Sequence, residues 1–254
     1  MEIKKTHGMT VDFLLIYIST GFEMPFPVTL HRIITINYIL PLLIYKVNAK
    51  TMKICNLYCG IGGNRKLWGD EHEITAVEHD PKIAKIYQDF FPNDKVIVGD
   101  AHQYLLDHFQ EFDFIWSSPP CPSHSRIRKS FVGKDNDGQN TPVFPNMELY
   151  EEILFLQGYF KGQYCVENVI SWYEPLIEPQ EVAKHYYWAN FIIPPFKIQS
   201  REHDGSMEKL STLKGFDISK YNGIDKRKTL RNCVEPEAGK YILDKAINQV
   251  KTLF

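Results

Sequence analysis

Residues 53–170 alternate short apolar segments with longer amphipathic ones, and this pattern limits the possible folds more than any other feature. Two of the longer segments place apolar residues at helical spacing, and they are PKIAKIYQDFFP (81–92) and HQYLLDHFQE (102–111). The short segments recur at roughly 20-residue intervals and read as strands. They are KICNLYCG (53–60), EITAVEHD (73–80), DKVIVGDA (94–101), FDFIWSSPP (112–120) and QYCVENVI (163–170). Strands that alternate with helices predict an α/β fold, a mostly parallel sheet with helices on both faces.

The second half of the chain continues this pattern less regularly. A polar stretch with glycine and proline (123–146) predicts a long loop, and an amphipathic helix is expected over 147–160. The aromatic segment 185–194 predicts another strand, and residues 195–228 are polar and read as irregular. A final helix is expected after Cys233.

Residues 1–51 differ from the rest, because their apolar runs are not tied together by turn residues. The longer run is too short to span a bilayer and is interrupted by Pro41. No signal-peptide pattern is visible, and Met52 opens the first predicted strand. We therefore expect residues 1–51 to be a non-essential extension and Met52 to begin the domain.

Cysteine usage and charge narrow the classes of protein. The five cysteines form neither a CxxC pair nor a His/Cys cluster at zinc spacing, which predicts free thiols, a reducing cytoplasm and no metal. The net charge of −2 gives no overall attraction to nucleic acid, so any such attraction has to be local.

A glycine-rich turn, GIGGNRKLWGD (60–70), is expected to lead into a helix. This turn and two acidic residues fall at the ends of predicted strands, where open parallel sheets bind ligands. Gly60, Gly62 and Gly63 allow a sharp turn and close approach to a ligand. A carboxylate at Glu78 suits ribose hydroxyls, and one at Asp100 suits an adenine amino group. Two alternatives remain, a tight turn with solvated acids and a nicotinamide dinucleotide site, although the last glycine of that fingerprint is replaced by arginine.

A single thiol, Cys121, lies just past the fourth strand in the proline-stiffened stretch SSPPCPSHS. Held in this way beside a ligand site, a thiolate is a preorganised nucleophile, whereas the alternative is an inert buried thiol. Glu167 ends the next strand, so we expect it to point into the same crevice.

The segments NLYCGIGG, VEHD, GDA, SSPPCPSHS and VENV resemble the cytosine-5 DNA methyltransferases in order and spacing, in particular the short phage and bacterial members. The resemblance implies an S-adenosylmethionine-dependent methyltransferase (Rossmann-like) fold with a very small target-recognition region. It divides the chain into a catalytic domain (52–194), a reduced target-recognition region (195–228) and a C-terminal helix that packs back on that domain (229–254). It also implies a phage or restriction-modification setting.

The resemblance assigns a role to each part of the site. Cys121 would attack carbon 6 of cytosine, Glu167 would protonate ring nitrogen 3, and Asn168 would fix the loop that holds Cys121, unless it is a simple turn residue. S-adenosylmethionine would be bound by residues of four strand ends, which are Tyr58, Gly60, Ile61, Gly62, Gly63, Glu78, His79, Asp100, Ala101 and Pro120.

A methyltransferase of this family acts on a base flipped out of double-stranded DNA. The loop 123–146 would act as a lid over that base. Contacts to DNA are expected from basic and hydroxyl side chains, which are Ser125, Arg126, Arg128, Lys129 and Arg227. We expect a monomer that does not bind membranes.

The sequence departs from the family at the QxRxR motif, whose last arginine helps to bind cytosine and to orient the acid. Lys184, just before an aromatic strand, is expected to take its place, with Arg201 of QSREHD as the alternative. Lysine lacks the planar fork of arginine, so the exchange would not be conservative. Two further interpretations stay open, an RNA (tRNA) cytosine-5 methyltransferase and a degraded relative that binds cofactor or DNA without turnover.

Overall fold

The structure is a computed structural model, and it describes residues 51–126, 144–197 and 206–250. The described part contains a seven-stranded sheet of order β3-β2-β1-β4-β5-β7-β6. Its strands are β1 (Lys53–Leu57), β2 (Glu73–Glu78), β3 (Lys95–Val98), β4 (Phe114–Ser117), β5 (Gln163–Val169), β6 (Gln180–Val182) and β7 (His185–Ala189). Strands β1 to β5 pair in parallel, whereas β7 is antiparallel to both β5 and β6.

The described helices are α1 (Pro81–Phe90), α2 (Ala101–His108), α3 (Glu148–Tyr159), α4 (Met207–Lys214), α5 (Lys226–Arg231) and α6 (Pro236–Val250). Asp80 and Asp100 cap α1 and α2, because each side chain accepts a hydrogen bond from a backbone N–H of the first turn. Pro81 occupies the first position of α1, where its fixed φ favours the helix. No helix among these residues is long and apolar enough to cross a membrane.

The sheet separates two apolar layers, because successive side chains of a strand point to opposite faces. On β4, Ile115 packs with α2 and α3, while Phe114 and Trp116 pack on the face covered by α6. A third cluster joins α1 and α4 to β2 on the α6 face. The predicted mostly parallel sheet with helices on both faces is confirmed.

Two local predictions are wrong. The glycine-rich turn does not lead into a helix, since residues Asn64–Leu67 form a single 3-10 turn. The turn instead packs against the far end of the chain: a Cβ on Gly239 of α6 would lie 2.3 Å from the Asn64 carbonyl oxygen.

The stretch 195–228 is also not irregular throughout. It contains α4, and it places Leu210, Phe216 and Ile218 in the apolar cluster with Ile61 and Tyr87. Burial of these side chains outweighs the polar character of the segment. The expected extension 1–51 lies outside the described residues, except for Thr51.

Candidate functional site

The site lies where the strand order reverses. β1 has β2 on one side and β4 on the other, and all three strands run parallel, so their carboxyl ends open on one crevice. The glycine turn follows β1, and the turn that carries Cys121 follows β4. The sheet therefore brings the two sequence motifs next to each other.

The glycine turn requires conformations and space that other residues do not supply. Gly62 has a φ of 86°, and a Cβ there would lie 2.4 Å from the Phe91 ring. A Cβ on Gly63 would lie 2.3 Å from the Val234 carbonyl oxygen. Gly60 differs, because its φ is 54° and a Cβ on it would meet no heavy atom within 4 Å. Gly60 thus faces open space, which suits close approach of a ligand.

Glu78 links the glycine turn to the end of β2. Its carboxylate accepts a hydrogen bond from the Gly60 N–H (3.0 Å) and another from the Asp80 N–H (3.0 Å). The side chain is half-buried, and the neighbouring His79 is exposed. The remaining lone pairs of the Glu78 carboxylate are available to a hydroxyl-bearing ligand.

The other residues expected around the cofactor also lie at strand ends. Asp100 is exposed and uses one oxygen to cap α2, while Ala101 and Ile61 are buried. Pro120 is exposed in the turn after β4. Tyr58 is half-buried with a φ of 54°, a left-handed conformation uncommon for a bulky residue.

A buried carboxylate that the sequence analysis missed holds Tyr58. Glu152 of α3 is fully buried and accepts hydrogen bonds from the Tyr58 hydroxyl (2.6 Å) and the Ser117 hydroxyl (2.6 Å). Nδ1 of His102 lies 3.2 Å from the same carboxylate, and this bond raises the pKa of His102. The signal was an acidic residue on the apolar face of a helix, three residues after Leu149.

A set of backbone hydrogen bonds holds the turn that carries Cys121. The Cys121 carbonyl accepts from the N–H groups of His124 and Ser125, both at 3.0 Å. The Trp172 indole donates to the Ser123 carbonyl (3.0 Å), and the Trp172 backbone N–H donates to the His124 carbonyl (3.0 Å). These bonds connect the turn to the segment that follows β5. The position of the Cys121 thiol is therefore set both by β4, which precedes the turn, and by the segment after β5.

The thiol has a charged environment of mixed sign. Burial raises the pKa of Cys121, and the negative charge of Glu167 raises it further, while the positive charge of Lys228 on α5 opposes both. Cys121 is therefore a thiol in the free protein at neutral pH. Parallel pairing of β4 with β5 places the turn of Cys121 beside the end of the strand that carries Glu167.

Glu167 and Asn168 are adjacent on β5 and have separate surroundings. Glu167 is 9% exposed, and Nε2 of His185 on β7 lies 3.6 Å from its Oε1. Asn168 is 2% exposed and donates from Nδ2 to the Pro119 carbonyl (3.0 Å). The asparagine thus connects the strand of the acid to the turn of the thiol.

The residues expected to contact DNA or to replace the family arginine are spread more widely. Arg126 is exposed and donates from Nε to the Ser171 carbonyl (3.0 Å), beside the bridge between Ser125 and Ser171. Arg227 lies on α5. Lys184 is exposed in the turn between β6 and β7, where its φ is 67°. Three expected residues lie outside the described part: Arg128, Lys129 and Arg201.

A family model matches part of the chain. Residues 52–147 match the family model described as C-5 cytosine-specific DNA methylase, which confirms the resemblance over that segment. The segment includes the glycine turn, Glu78, Asp100 and Cys121, whereas Glu167 lies beyond it. No curated protein matches the chain significantly.

Solved structures resemble the chain in part. A hypothetical protein of Thermus thermophilus is 16% identical, with 66% of this chain and 88% of that one covered and a TM-score of 0.37. A SAM-dependent methyltransferase of Agrobacterium tumefaciens is 12% identical, with 55% and 45% covered and a TM-score of 0.35. A TehB-like SAM-dependent methyltransferase of Corynebacterium glutamicum is 16% identical, with 61% and 68% covered and a TM-score of 0.31.

S-adenosylmethionine is the cofactor that the family match implies. The residues present fit it, because Gly60 faces open space and the half-buried carboxylate of Glu78 lies directly beside that glycine. The family match likewise supports methyl transfer from this cofactor.

Proposed function

We propose that the chain methylates carbon 5 of a flipped-out cytosine in DNA through a covalent Cys121 adduct. The premise is that residues 52–147 match the family model of the C-5 cytosine-specific DNA methylases. The observation that carries the proposal is the hydrogen bond from Asn168 to the Pro119 carbonyl (3.0 Å). It joins β5, which carries Glu167, to the turn that carries Cys121, and β4 and β5 also pair in parallel. A nucleophile and an acid so arranged can act on opposite parts of one pyrimidine ring.

The reaction needs both groups, because carbon 5 of cytosine is a poor nucleophile. The Cys121 thiol gives its proton to water, and the resulting thiolate adds to carbon 6 as Glu167 gives a proton to ring nitrogen 3, which leaves an enamine with electron density at carbon 5. S-adenosylmethionine supplies an electrophilic methyl group on a sulfonium. Carbon 5 then carries both the methyl group and its original hydrogen.

Release reverses the activation. A base, water in the simplest case, removes the proton from carbon 5, the C5=C6 double bond re-forms and the thiolate leaves carbon 6. Glu167 recovers its proton from ring nitrogen 3 and the thiolate regains its proton from water, so both groups return to their starting state. Asn168 supports both steps, because its bond to Pro119 holds the thiol turn against the strand of the acid.

Glu78 would bind the ribose of the cofactor, and Tyr58, oriented by Glu152, would line the same pocket. Lys184 or Arg201 would take the place of the family arginine at the cytosine. Contacts to DNA would come from Ser125, Arg126, Arg128, Lys129 and Arg227, and the loop 123–146 would act as a lid over the flipped base.

RNA is a second candidate substrate, because part of the described stretch 206–228 packs in the core. Leu210, Phe216 and Ile218 are buried in the apolar cluster with Ile61, so they serve the core and not a target surface. A degraded relative that binds cofactor or DNA without turnover is the third outcome that an experiment has to distinguish.

The test is transfer of labelled methyl groups to duplex DNA and to tRNA, followed by mapping of modified cytosines at base resolution. We expect labelled DNA from the wild type and none from Cys121→Ser. The matched control is Cys165→Ser, because Cys165 is a fully buried thiol of β5 that packs in the core. Labelled tRNA with unlabelled DNA favours the RNA substrate, and cofactor binding without any labelling favours the degraded relative.

The covalent step has its own test in DNA that contains 5-fluorocytosine. Fluorine at carbon 5 cannot leave as a proton does, so the protein stays attached to the base. We expect a stable protein–DNA adduct with the wild type and none with Cys121→Ser. Methylation of ordinary DNA by Cys121→Ser would refute the nucleophile.

A further inference from the structure

His185 approaches the proposed acid from the neighbouring strand. β7 pairs antiparallel with β5, so that Val169 is opposite His185 and Glu167 is opposite Tyr187. The His185 side chain leans toward Glu167, and its Nε2 lies 3.6 Å from Oε1 of the carboxylate. Catalytic contacts are often long in a free enzyme and shorten in the complex, so a separation of 3.6 Å is compatible with a hydrogen bond between the two side chains in the complex.

The other ring nitrogen fixes how His185 is protonated. Nδ1 lies 3.3 Å from the Ala183 carbonyl oxygen, which can only accept, so Nδ1 carries the proton when the ring is neutral. Nε2 is then an acceptor that faces the acid. When the ring is charged, Nε2 becomes a donor to the carboxylate. His185 can therefore accept a hydrogen bond from protonated Glu167 or donate one to its carboxylate.

The turn before β7 sets this geometry. Ala183 and Lys184 have φ values of 50° and 67°, conformations that cost energy in residues with a Cβ. They turn the chain tightly from β6 into β7, so that the Ala183 carbonyl lies near the ring of His185 while Lys184 is exposed. The hairpin thus presents the histidine, and not the lysine, to the acid.

Charged and titratable groups face Glu167 from several elements. They are Cys165 on β5 and His185 and Tyr187 on β7, while the turn of Cys121 follows the neighbouring strand β4. Lys228 of α5 acts on Cys121 through its positive charge. Burial and the charge of Glu167 raise the pKa of Cys165 and of Tyr187, so neither changes charge near neutrality. Within this described group, His185 is the side chain suited to exchange a proton there.

We propose that His185 is the positioning residue of Glu167, which orients the carboxyl group through Nε2 and holds a proton for it during turnover. Charged His185 gives its proton to the Glu167 carboxylate as that carboxylate passes a proton to ring nitrogen 3, and the proton returns to His185 by the same route when ring nitrogen 3 releases it. This inference rests on the proposed function, and it makes the acid dependent on the charge of a neighbouring histidine.

The experiment compares methylation rates of His185→Gln, His185→Arg and His185→Lys with the wild type from about pH 5 to about pH 8. The variant rate is divided by the wild-type rate at each pH, because the pH dependence that comes from ionisation of Cys121 is common to both proteins and cancels in the ratio. We expect His185→Gln to be about 10- to 100-fold slower at the acidic end, within the usual range for acid–base catalysis. We expect that deficit to be smaller at the alkaline end, where an imidazole in general is uncharged.

The variants with a permanent charge give the second readout. We expect the rate of His185→Arg or His185→Lys, relative to the wild type, to rise with pH, because each keeps its charge where histidine does not. The matched control is His108→Gln, since His108 forms an ion pair with Glu111 (2.7 Å) on the surface, at the end of α2. Circular dichroism checks that each variant folds.

A His185→Gln rate equal to that of the wild type at every pH overturns the inference while the proposed function stands. A wild type that methylates neither DNA nor RNA rejects the function itself. Nitrogen NMR of the free protein tests the geometry without activity: we expect neutral His185 to carry its proton on Nδ1. A proton on Nε2 overturns the inference.

Discussion

The side-chain amide of Asn168 donates to the Pro119 carbonyl oxygen across 3.0 Å, and the two residues are 49 positions apart in the chain. Asn168 follows Glu167 in β5, and Pro119 lies in the turn that carries Cys121. This buried hydrogen bond therefore links the turn of the thiol directly to the strand of the acid. It acts together with the bonds of Trp172, which tie the same turn to the segment after β5.

Replacing Asn168 by alanine tests this coupling. The buried Pro119 carbonyl would lose its donor, which costs about 1–3 kcal/mol of unfolding free energy. We also expect much slower adduct formation on 5-fluorocytosine DNA, because the thiol and the acid would no longer be aligned. Chemical denaturation and a gel-based adduct assay measure the two effects.

Asn190→Ala is the control for that variant. Asn190 also bonds backbone groups, the Tyr164 N–H (3.1 Å) and the Gly162 carbonyl (2.9 Å), but at the opposite end of β5. We expect a similar loss of stability and a normal adduct rate. Equal adduct rates in both variants would show that Asn168 serves the fold alone.

The reactivity of Cys121 should depend on its two charged neighbours. Because burial and Glu167 raise its pKa above the ordinary 9.0, we expect slow alkylation by iodoacetamide at neutral pH and a rate that increases as the pH rises. Glu167→Gln should speed the reaction at pH 8 and Lys228→Gln should slow it, with a Lys240→Gln control unchanged. Mass spectrometry of the labelled peptide gives the rates, and a slower Glu167→Gln would contradict the arrangement.

Substitution of two glycines in the same turn should impair the protein for different reasons. In Gly60→Ala the added Cβ meets open space, so we expect about 1–2 kcal/mol of backbone strain, a folded protein and weakened S-adenosylmethionine binding. In Gly63→Ala the Cβ would lie 2.3 Å from the Val234 carbonyl oxygen, so we expect a larger loss of stability. Calorimetric titration with S-adenosylmethionine measures the change in affinity, and thermal unfolding measures the loss of stability. Unchanged affinity in Gly60→Ala would remove this glycine from the cofactor site.

The buried Glu152 should link stability to pH through His102. Their hydrogen bond raises the pKa of His102 in the folded protein, so the stabilisation is complete below the ordinary value of 6.5 and is lost as the pH rises through the raised value. The difference in unfolding free energy between wild type and His102→Gln should therefore shrink with rising pH. Denaturation at several pH values measures it, and a difference that grows with pH would be the contrary result.

Local patterns sufficed for most of the sheet. The parallel strands were predictable because each is a short apolar run that ends at a turn residue, and α1 because Asp80 and Pro81 are start signals readable in the sequence. The pattern failed after β1, where residues Asn64–Leu67 form a single 3-10 turn packed on α6, and in 195–228, where Phe216 and Ile218 are buried in spite of polar neighbours. Both failures involve contacts with residues distant in the chain.

The sequence by itself determined the order of strands and helices and the turns that carry the glycines and Cys121, because hydrophobic period and turn residues act over a few positions. Only the tertiary structure decided which side chains meet. Tyr58 bonds Glu152 from 94 positions away, and His185 rather than Lys184 lies beside Glu167. Such meetings depend on strand register and helix packing, which no local stretch of sequence specifies.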